Sequence, residues 1–432
     1  MRRNLIQTLV RWKSHPLRMP LIIRGARQVG KTWVVQEFGK KEFKSFININ
    51  FETSPNYQAC FETMDPRAII RAIEWISQQK VVAGETLLFL DEIQQCPLAL
   101  QSLRYFKEEW PELHVIAAGS LLEFAMEEES FSFPVGRVQF ARLYPLSFGE
   151  FLDARGDGAL KEDLGRFTIE TPPPAAVHQY LLERMKEYFV VGGMPNAIVA
   201  YLKTQSFLEV KYVQKAIWDT YENDFGKYAP KTQHRHLRKI FQEVPRMIGE
   251  HIKYSRIDPE LPNPAREIKQ AIELLERASL LHRITATSSG GVPLLNGLRE
   301  SIFKLIFLDI GLVEQAMDLD PHHPGLMVGA LAEQFVGQEI LASGDPLLET
   351  RLFFWDRDEG NAEVDYLIAQ KGSVIPIEVK AGKGGKLKSL HLFMKEKKAP
   401  LGIKISQEEL DIKGNILSIP LYLTSHLSSF IN

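Results

Sequence analysis

Two groups of residues in this 432-residue chain have the types and spacing for phosphate chemistry. The first is Gly25-Ala26-Arg27-Gln28-Val29-Gly30-Lys31-Thr32, a full match to Gly-x-x-x-x-Gly-Lys-Ser/Thr. Glycines let successive backbone N–H groups curl toward one anion. Lys31 then reaches the β- and γ-phosphates, and the Thr32 hydroxyl ligates Mg²⁺. The complement is "LLFLDEIQQCP", in which four apolar residues, 87–90, stop at Asp91 and Glu92. Acids at the end of a buried strand are costly unless positive charge meets them. Mg²⁺ on a bound triphosphate is that charge, with Asp91 holding it through its water shell and Glu92 orienting and polarising the attacking water. The second group is Asp365 in "EVDYLIAQ" with Glu378 and Lys380 in "IPIEVK". Two acids and a lysine on neighbouring strands suit a divalent ion and a polarised water.

Both groups need elements to position them. Leu21, Ile22 and Ile23 make a short apolar strand before the glycine-rich loop, and Trp33, Val34, Val35 and Phe38 continue as a helix whose N-terminus favours an anion. The run 87–90 reads as a buried parallel strand, with Asp91 at the carboxyl end where open α/β sheets bind ligands. "SFININFE" and "LHVIAAGS" supply two further strands. Ser120, ending the latter, reads either as a polar sensor of the γ-phosphate or as the N-cap of "LLEFAMEEE". "GRVQFARLYPLSFGEFL" adds a fifth strand, which Pro145 breaks ahead of an amphipathic helix. Arg137 and Arg142 flank that strand; Arg137 is either an arginine finger for a neighbouring subunit or part of a surface salt bridge. From Arg351 on, three strands are expected, with turns at Gly360-Asn361 and Lys371-Gly372. On the third, Ile377, Val379 and Ala381 face one way and Glu378 and Lys380 the other. Glu333, on an amphipathic helix in "GALAEQFVGQEIL", is able to point to the same place.

"GARQVGKTW", "LFLDEIQ", "AAGSLLEF" and "GRVQFARLYPLSFGEFL" resemble the AAA-type ATPases of bacteria and archaea that carry an uncharacterised region after the ATPase. The resemblance implies ATP over GTP, in keeping with the lack of a guanine-reading Asn-Lys-x-Asp, and its ring-forming relatives make a homo-oligomer an expectation. Asp365 followed by Glu378-x-Lys380 resembles the PD-(D/E)XK pattern of restriction-endonuclease-like folds. That resemblance implies a mixed sheet flanked by helices and DNA as ancestral substrate. Asp365 and Glu378 would hold Mg²⁺, Glu333 would be a supporting ligand, and Lys380 would orient or activate the water.

The expected fold class is therefore α/β. A P-loop, AAA-like domain (1–155) precedes a linker and helical lid (156–228), a winged-helix-like domain (229–300) and a restriction-endonuclease-like domain (301–432). Pro172, Pro173 and Pro174 read as a stiff spacer, and Gly192-Gly193 as a packing corner between helices. "REIKQAIELLERASLL" followed by a hairpin tipped by Gly290-Gly291 has a winged-helix rhythm. Its helix mixes Glu267, Glu273 and Glu276 with Arg266, Lys269 and Arg277, which is poor for phosphate. A protein partner or simple spacing suits it better than DNA. "KYAPKTQHRHLRK" is the most basic stretch nearby, His322-His323 belong to a loop, and "KEKKAP" reads as a helix C-terminus.

Bulk properties exclude several classes. Net charge is −2, so any DNA binding needs a local basic patch. Two cysteines, Cys60 and Cys96, cannot build a disulfide framework or a four-ligand zinc site and read as core thiols in a reducing compartment. No apolar run approaches the ~18 residues that span a bilayer, and the basic N-terminus is too short in apolar residues for a secretory signal. These features lead to a cytoplasmic expectation. Two functions compete. One is an ATPase coupled to a Mg²⁺-dependent nuclease. The other is an ATP-driven switch or binding module, in signalling or in defence against foreign DNA, whose nuclease-like fold docks DNA or a partner. A structural ATP-binding protein that barely turns over is a third, duller option.

Overall fold

The computed structural model describes residues 1–431 apart from 121, 126–135, 230–232, 258–263, 321–328, 358–361 and 383–385. His322-His323 and Gly360-Asn361 lie outside the described residues. The chain divides into two compact units: Arg2–Tyr144 with Asp345–Glu349, and Pro145–Gly344 with Thr350–Asn432. The first break therefore comes at Pro145, ahead of the expected 155.

The N-terminal unit is built on five parallel strands, β1 (Leu21–Arg24), β2 (Ser45–Asn50), β3 (Thr86–Asp91), β4 (His114–Ala118) and β5 (Gln139–Arg142), in the order β2-β3-β4-β1-β5. All six residues of β3 and all five of β4 are buried, as continuous apolar runs predict for strands covered on both faces. Register aligns the carboxyl ends: Asn50 pairs with Asp91, Asp91 with Ala118, and Ala118 with Ile23. The loops leaving β1, β3 and β4 therefore open at one end of the sheet. Cys60 and Cys96 are free thiols packed in the core beside Phe61, Ile93 and Leu100.

The C-terminal unit contains an eight-stranded mixed sheet. Its strands are β6 (Leu281–Thr287), β7 (Leu298–Phe307), β8 (Leu352–Asp356), β9 (Glu363–Gln370), β10 (Ser373–Val379), β11 (Gly402–Ser406), β12 (Asp411–Lys413) and β13 (Ile416–Pro420), in the order β12-β13-β11-β10-β9-β8-β6-β7. The helix Gly329–Ser343, the antiparallel β8-β9-β10, the helix Lys388–Lys397 and the parallel β11 follow one another along the chain. Lys371 (φ 49°) and Gly372 (φ 77°) both sit at positive φ and make the expected two-residue turn between β9 and β10. The hairpin read as a wing is β6-β7, and β6 pairs in parallel with β8, Ile284 opposite Leu352. It is thus two strands of the C-terminal sheet, and a boundary at 300/301 falls inside β7. The helix Pro264–Arg277 does bury Ile268, Ile272 and Leu275.

The Gly192-Gly193 corner has a concrete physical cause. Gly192 sits at φ 71°, and a Cβ there would lie 2.2 Å from Asp309 Oδ1. Gly193 N–H donates to Asp309 Oδ2 at 2.6 Å, and its carbonyl accepts from Leu146 N–H at 2.7 Å. Asp309 also caps the helix Ile310–Ala316 through Gly311 and Leu312 N–H. The helix Gly329–Ser343 is fixed by side chains that bond backbone. Gln334 takes both Phe307 N–H (2.8 Å) and Phe307 O (2.7 Å), Gln338 accepts from Ile310 N–H (2.9 Å), and Glu339 accepts from Phe148 N–H (2.8 Å).

Candidate phosphate and cation sites

The glycine-rich loop leaves β1 and enters the helix Lys31–Glu42 through three residues at positive φ: Gly25 (142°), Gln28 (64°) and Gly30 (95°). Only glycine fits at 25, because a Cβ there would meet Leu143 O at 2.2 Å. Ala26 and Val29 are buried and anchor the loop, while Arg27 and Gln28 are half-buried. Arg3, a buried residue just ahead of the helix Leu5–Ser14, donates to Val29 O at 2.8 Å and to Tyr144 O at 2.6 Å. The basic N-terminus thus clamps the loop.

Lys31 Nζ folds back onto the loop carbonyls of Gly25 (2.9 Å) and Ala26 (2.8 Å). Burial pushes its ammonium down to about 8, against the opposing pull of Glu92 and Asp91. Asp91 Oδ2 accepts from Thr32 Oγ1 at 2.9 Å and from Asn50 Nδ2 at 3.1 Å. Its carboxyl is shifted upward, chiefly by burial. Asn50 was missed in the sequence, although it ends the strand beside β3. Glu92 sits at φ 51° and accepts from Gln94 Nε2 at 2.6 Å and from Ser120 Oγ at 3.4 Å. Gln94 in turn rests against Gly119, where a Cβ would lie 2.2 Å from its Oε1. Lys31, Thr32, Asp91, Glu92 and Ser120 therefore come together at the carboxyl end of the sheet. Arg137 does not join them in any described contact; its Nε pairs with Glu108 at 2.7 Å on the surface. Arg142 pairs with Glu349 at 3.8 Å.

The second constellation assembles within the C-terminal unit. Asp365 Oδ2 accepts from Val379 N–H at 2.7 Å, tying β9 to the end of β10. Glu378 Oε1 accepts from Lys380 Nζ at 2.6 Å, while Glu378 Oε2 is buried without a hydrogen-bond partner. Carboxylate oxygens of Glu333, Glu363 and Asp365 lie within 4.8 Å of one another. Among them stands Lys304 from β7, 1% exposed, which bonds Glu333 Oε1 at 2.8 Å and pairs with Glu363 Oε1. Glu363 also meets His251 Nε2 at 2.6 Å. Burial raises Glu333 and Glu378 to about 7, helped in each by the nearby Asp365, and raises Asp365 itself. Lys304 is shifted upward by Glu333 and Glu363 in spite of its burial. Glu363 was legible as a same-face neighbour of Asp365 two positions on; Lys304 and His251 carried no local signal.

Both donor sets fit a hard divalent ion: the hydroxyl and carboxylate of Thr32 and Asp91 converge, and Glu378 Oε2 lacks a hydrogen-bond partner. Among the described residues no helix is long and apolar enough to cross a membrane.

Residues 17–152 match the family model for an AAA domain. Residues 182–323 and 328–423 match two domains of unknown function, DUF8612 and DUF4143. The N-terminal unit is thus a P-loop ATPase domain of the AAA type, and the chain is α/β with a mixed C-terminal sheet. No curated protein matches the chain. Similar solved structures include the Walker-type ATPase of Pyrococcus abyssi, at 14% identity and TM-score 0.45, covering 73% of this chain and 95% of that one. The Aeropyrum pernix ORC2 protein follows at 15% and 0.35, covering 69% and 86%. A Thermotoga maritima RuvB variant stands at 14% and 0.33, covering 65% and 88%.

Proposed function

We propose that this protein binds and hydrolyses ATP, and that its C-terminal unit is a magnesium-dependent DNA nuclease. One observation supports the hydrolytic reading above others. The glycine-rich loop, the tip of β3 and the end of β4 bring Lys31, Thr32, Asp91, Glu92 and Ser120 to the carboxyl end of the sheet. Lys31, released from the carbonyls of Gly25 and Ala26, neutralises the β- and γ-phosphates. Thr32 and Asp91 hold Mg²⁺ with them, and Glu92 takes the proton of the attacking water. Mg²⁺, when bound, supplies charge neutralisation and lowers the pKa of a coordinated water. Ser120 senses the γ-phosphate through the same Glu92 oxygen. Arg137 serves as a finger only where its pair with Glu108 is broken.

In the C-terminal unit, Asp365 and Glu378 hold the metal, and Lys380, bonded to Glu378, orients the water toward a phosphodiester. The succession of helix, three antiparallel strands, helix and parallel strand supports the restriction-endonuclease-like reading. Exposed Lys386, Lys388, Lys395 and Lys398 offer positive charge for a nucleic-acid backbone. The helix Pro264–Arg277, with its balanced charge, suits a protein partner.

The test is ATP turnover with and without single- and double-stranded DNA, assayed alongside cutting of supercoiled plasmid in Mg²⁺. The expected result is turnover lost in Glu92→Gln and cutting lost in Asp365→Ala or Lys380→Ala. Cutting that survives both C-terminal variants removes the nuclease assignment. Turnover with no cutting of any DNA form, together with DNA or partner capture that differs between ATP and ADP, establishes the switch instead.

A further inference from the structure

The acids of the C-terminal unit form two halves that differ in what already satisfies them. The inner half is Glu333 and Glu363. Lys304 Nζ bonds Glu333 Oε1 at 2.8 Å and pairs with Glu363 Oε1, and His251 Nε2 meets the other Glu363 oxygen at 2.6 Å. Glu333 Oε2 lies against Gly249, where a Cβ would stand 2.8 Å away, so no side chain of that residue intervenes. The outer half is Asp365 and Glu378, where Val379 N–H and Lys380 Nζ each take one oxygen and Glu378 Oε2 has no hydrogen-bond partner.

Lys304 is not a surface lysine that swings away. Its side chain is 1% exposed, it grows from β7 opposite Ile284, and its Nζ lies 5.2 Å from the centroid of the Phe354 ring. Withdrawing it would strand the buried Glu333 and the half-buried Glu363. A divalent ion seated between Glu333 and Asp365 would face a fixed ammonium at close range, in a medium that screens poorly. The outer half differs in keeping one carboxylate oxygen open: Lys380 pairs with Glu378 through Oε1, and Glu378 Oε2 has no hydrogen-bond partner.

We propose that Lys304 is a resident cation filling the inner half of this pocket, so that the pocket takes one divalent ion, on Asp365 and Glu378, where four acids would otherwise accommodate two. Glu333 is then the counter-ion of Lys304 and not a metal ligand. The proposal rests on the reading of the pocket as a divalent-cation site.

The experiment uses the full chain without nucleotide and Mn²⁺ as the probe, with stoichiometry read by calorimetry and melting temperature read in chelator and in Mn²⁺. The parent takes up one Mn²⁺ that Asp365→Asn weakens by about a hundredfold or more, while Glu333→Gln weakens it by less than about tenfold. Lys304→Met melts lower than the parent in chelator, recovers in Mn²⁺, and binds two ions. Where Lys304→Met fails to fold, the contrast between Glu333→Gln and Asp365→Asn decides. Two ions in the parent, both weakened by Asp365→Asn, one Asp365-dependent ion in a folded Lys304→Met, or equal losses from Glu333→Gln and Asp365→Asn each overturn the role of Lys304 and leave the cation site standing. No Mn²⁺ uptake sensitive to Asp365→Asn or Glu378→Gln overturns both.

Discussion

The two sites of this chain are opposites in sign, and each contains a buried lysine. At the glycine-rich loop Lys31 rests on two neutral carbonyls, and burial pushes it down toward neutrality. In the C-terminal pocket Lys304 rests on two carboxylates, and they hold it charged in spite of burial. The first lysine exchanges weak partners for a stronger anion at little cost. The second has no stronger partner to seek. On the proposed reading a buried lysine marks an anion site in one unit and a filled cation site in the other, and only its contacts tell which.

The largest effect that sharpens this contrast is chemical. Glu92→Gln is expected to cut ATP turnover by about 10²–10⁴-fold while leaving nucleotide affinity near the parent value; steady-state turnover beside nucleotide titration measures both. A variant that hydrolyses at the parent rate puts the base elsewhere. Lys31→Ala comes next, with ATP affinity down by roughly 10²-fold or more by calorimetry, because the freed loop carbonyls cannot replace its charge. The reciprocal Asp365→Ala is expected to abolish C-terminal Mn²⁺ uptake and leave ATP affinity unchanged. Coupled losses at both sites would break the picture of two separately built pockets.

Gly25→Ala is a smaller, steric test. Its Cβ would have to displace Leu143 O, at a cost of about 1–3 kcal/mol, read as a lower unfolding midpoint and weaker ATP binding together. The smallest effect concerns Glu339, whose carboxyl burial raises from the ordinary 4.5 to about 8. Folding then takes up a proton between those two values, so this group's contribution to stability falls as pH rises across that window and is flat above it. Glu339→Gln keeps an acceptor for Phe148 N–H. It is expected to melt roughly 2–4 °C higher than the parent at pH 8, with the gain vanishing near pH 5.

Much of the candidate phosphate site was legible because its signals are local. Eight consecutive residues define the loop, and an apolar run ending in Asp91-Glu92 defines its complement. Asn50 and Arg3 were not, since what they touch is fixed by strand order and by a clamp reaching Val29 and Tyr144. Period-two alternation placed Asp365 and Glu378 on strands, and they lie on β9 and β10, while Lys380 falls one residue past the end of β10. Lys304 stayed hidden because "SIFKLIF" reads as any strand with one outward lysine, and its acids come from a helix and a strand far along the chain. The β6-β7 hairpin misled for a related reason. A helix before two strands looks like a wing until the parallel pairing to β8 is seen.

The helix Gly329–Ser343 carries a last consequence. Its contacts through Gln334, Gln338 and Glu339 act as the wards of a key: each accepts one backbone partner, and together they admit a single rotation and a single axial setting. Glu333, one residue before the first ward, inherits that setting. A random search for lesions that misplace the Lys304 counter-ion should therefore recover glutamines that touch neither ion nor substrate.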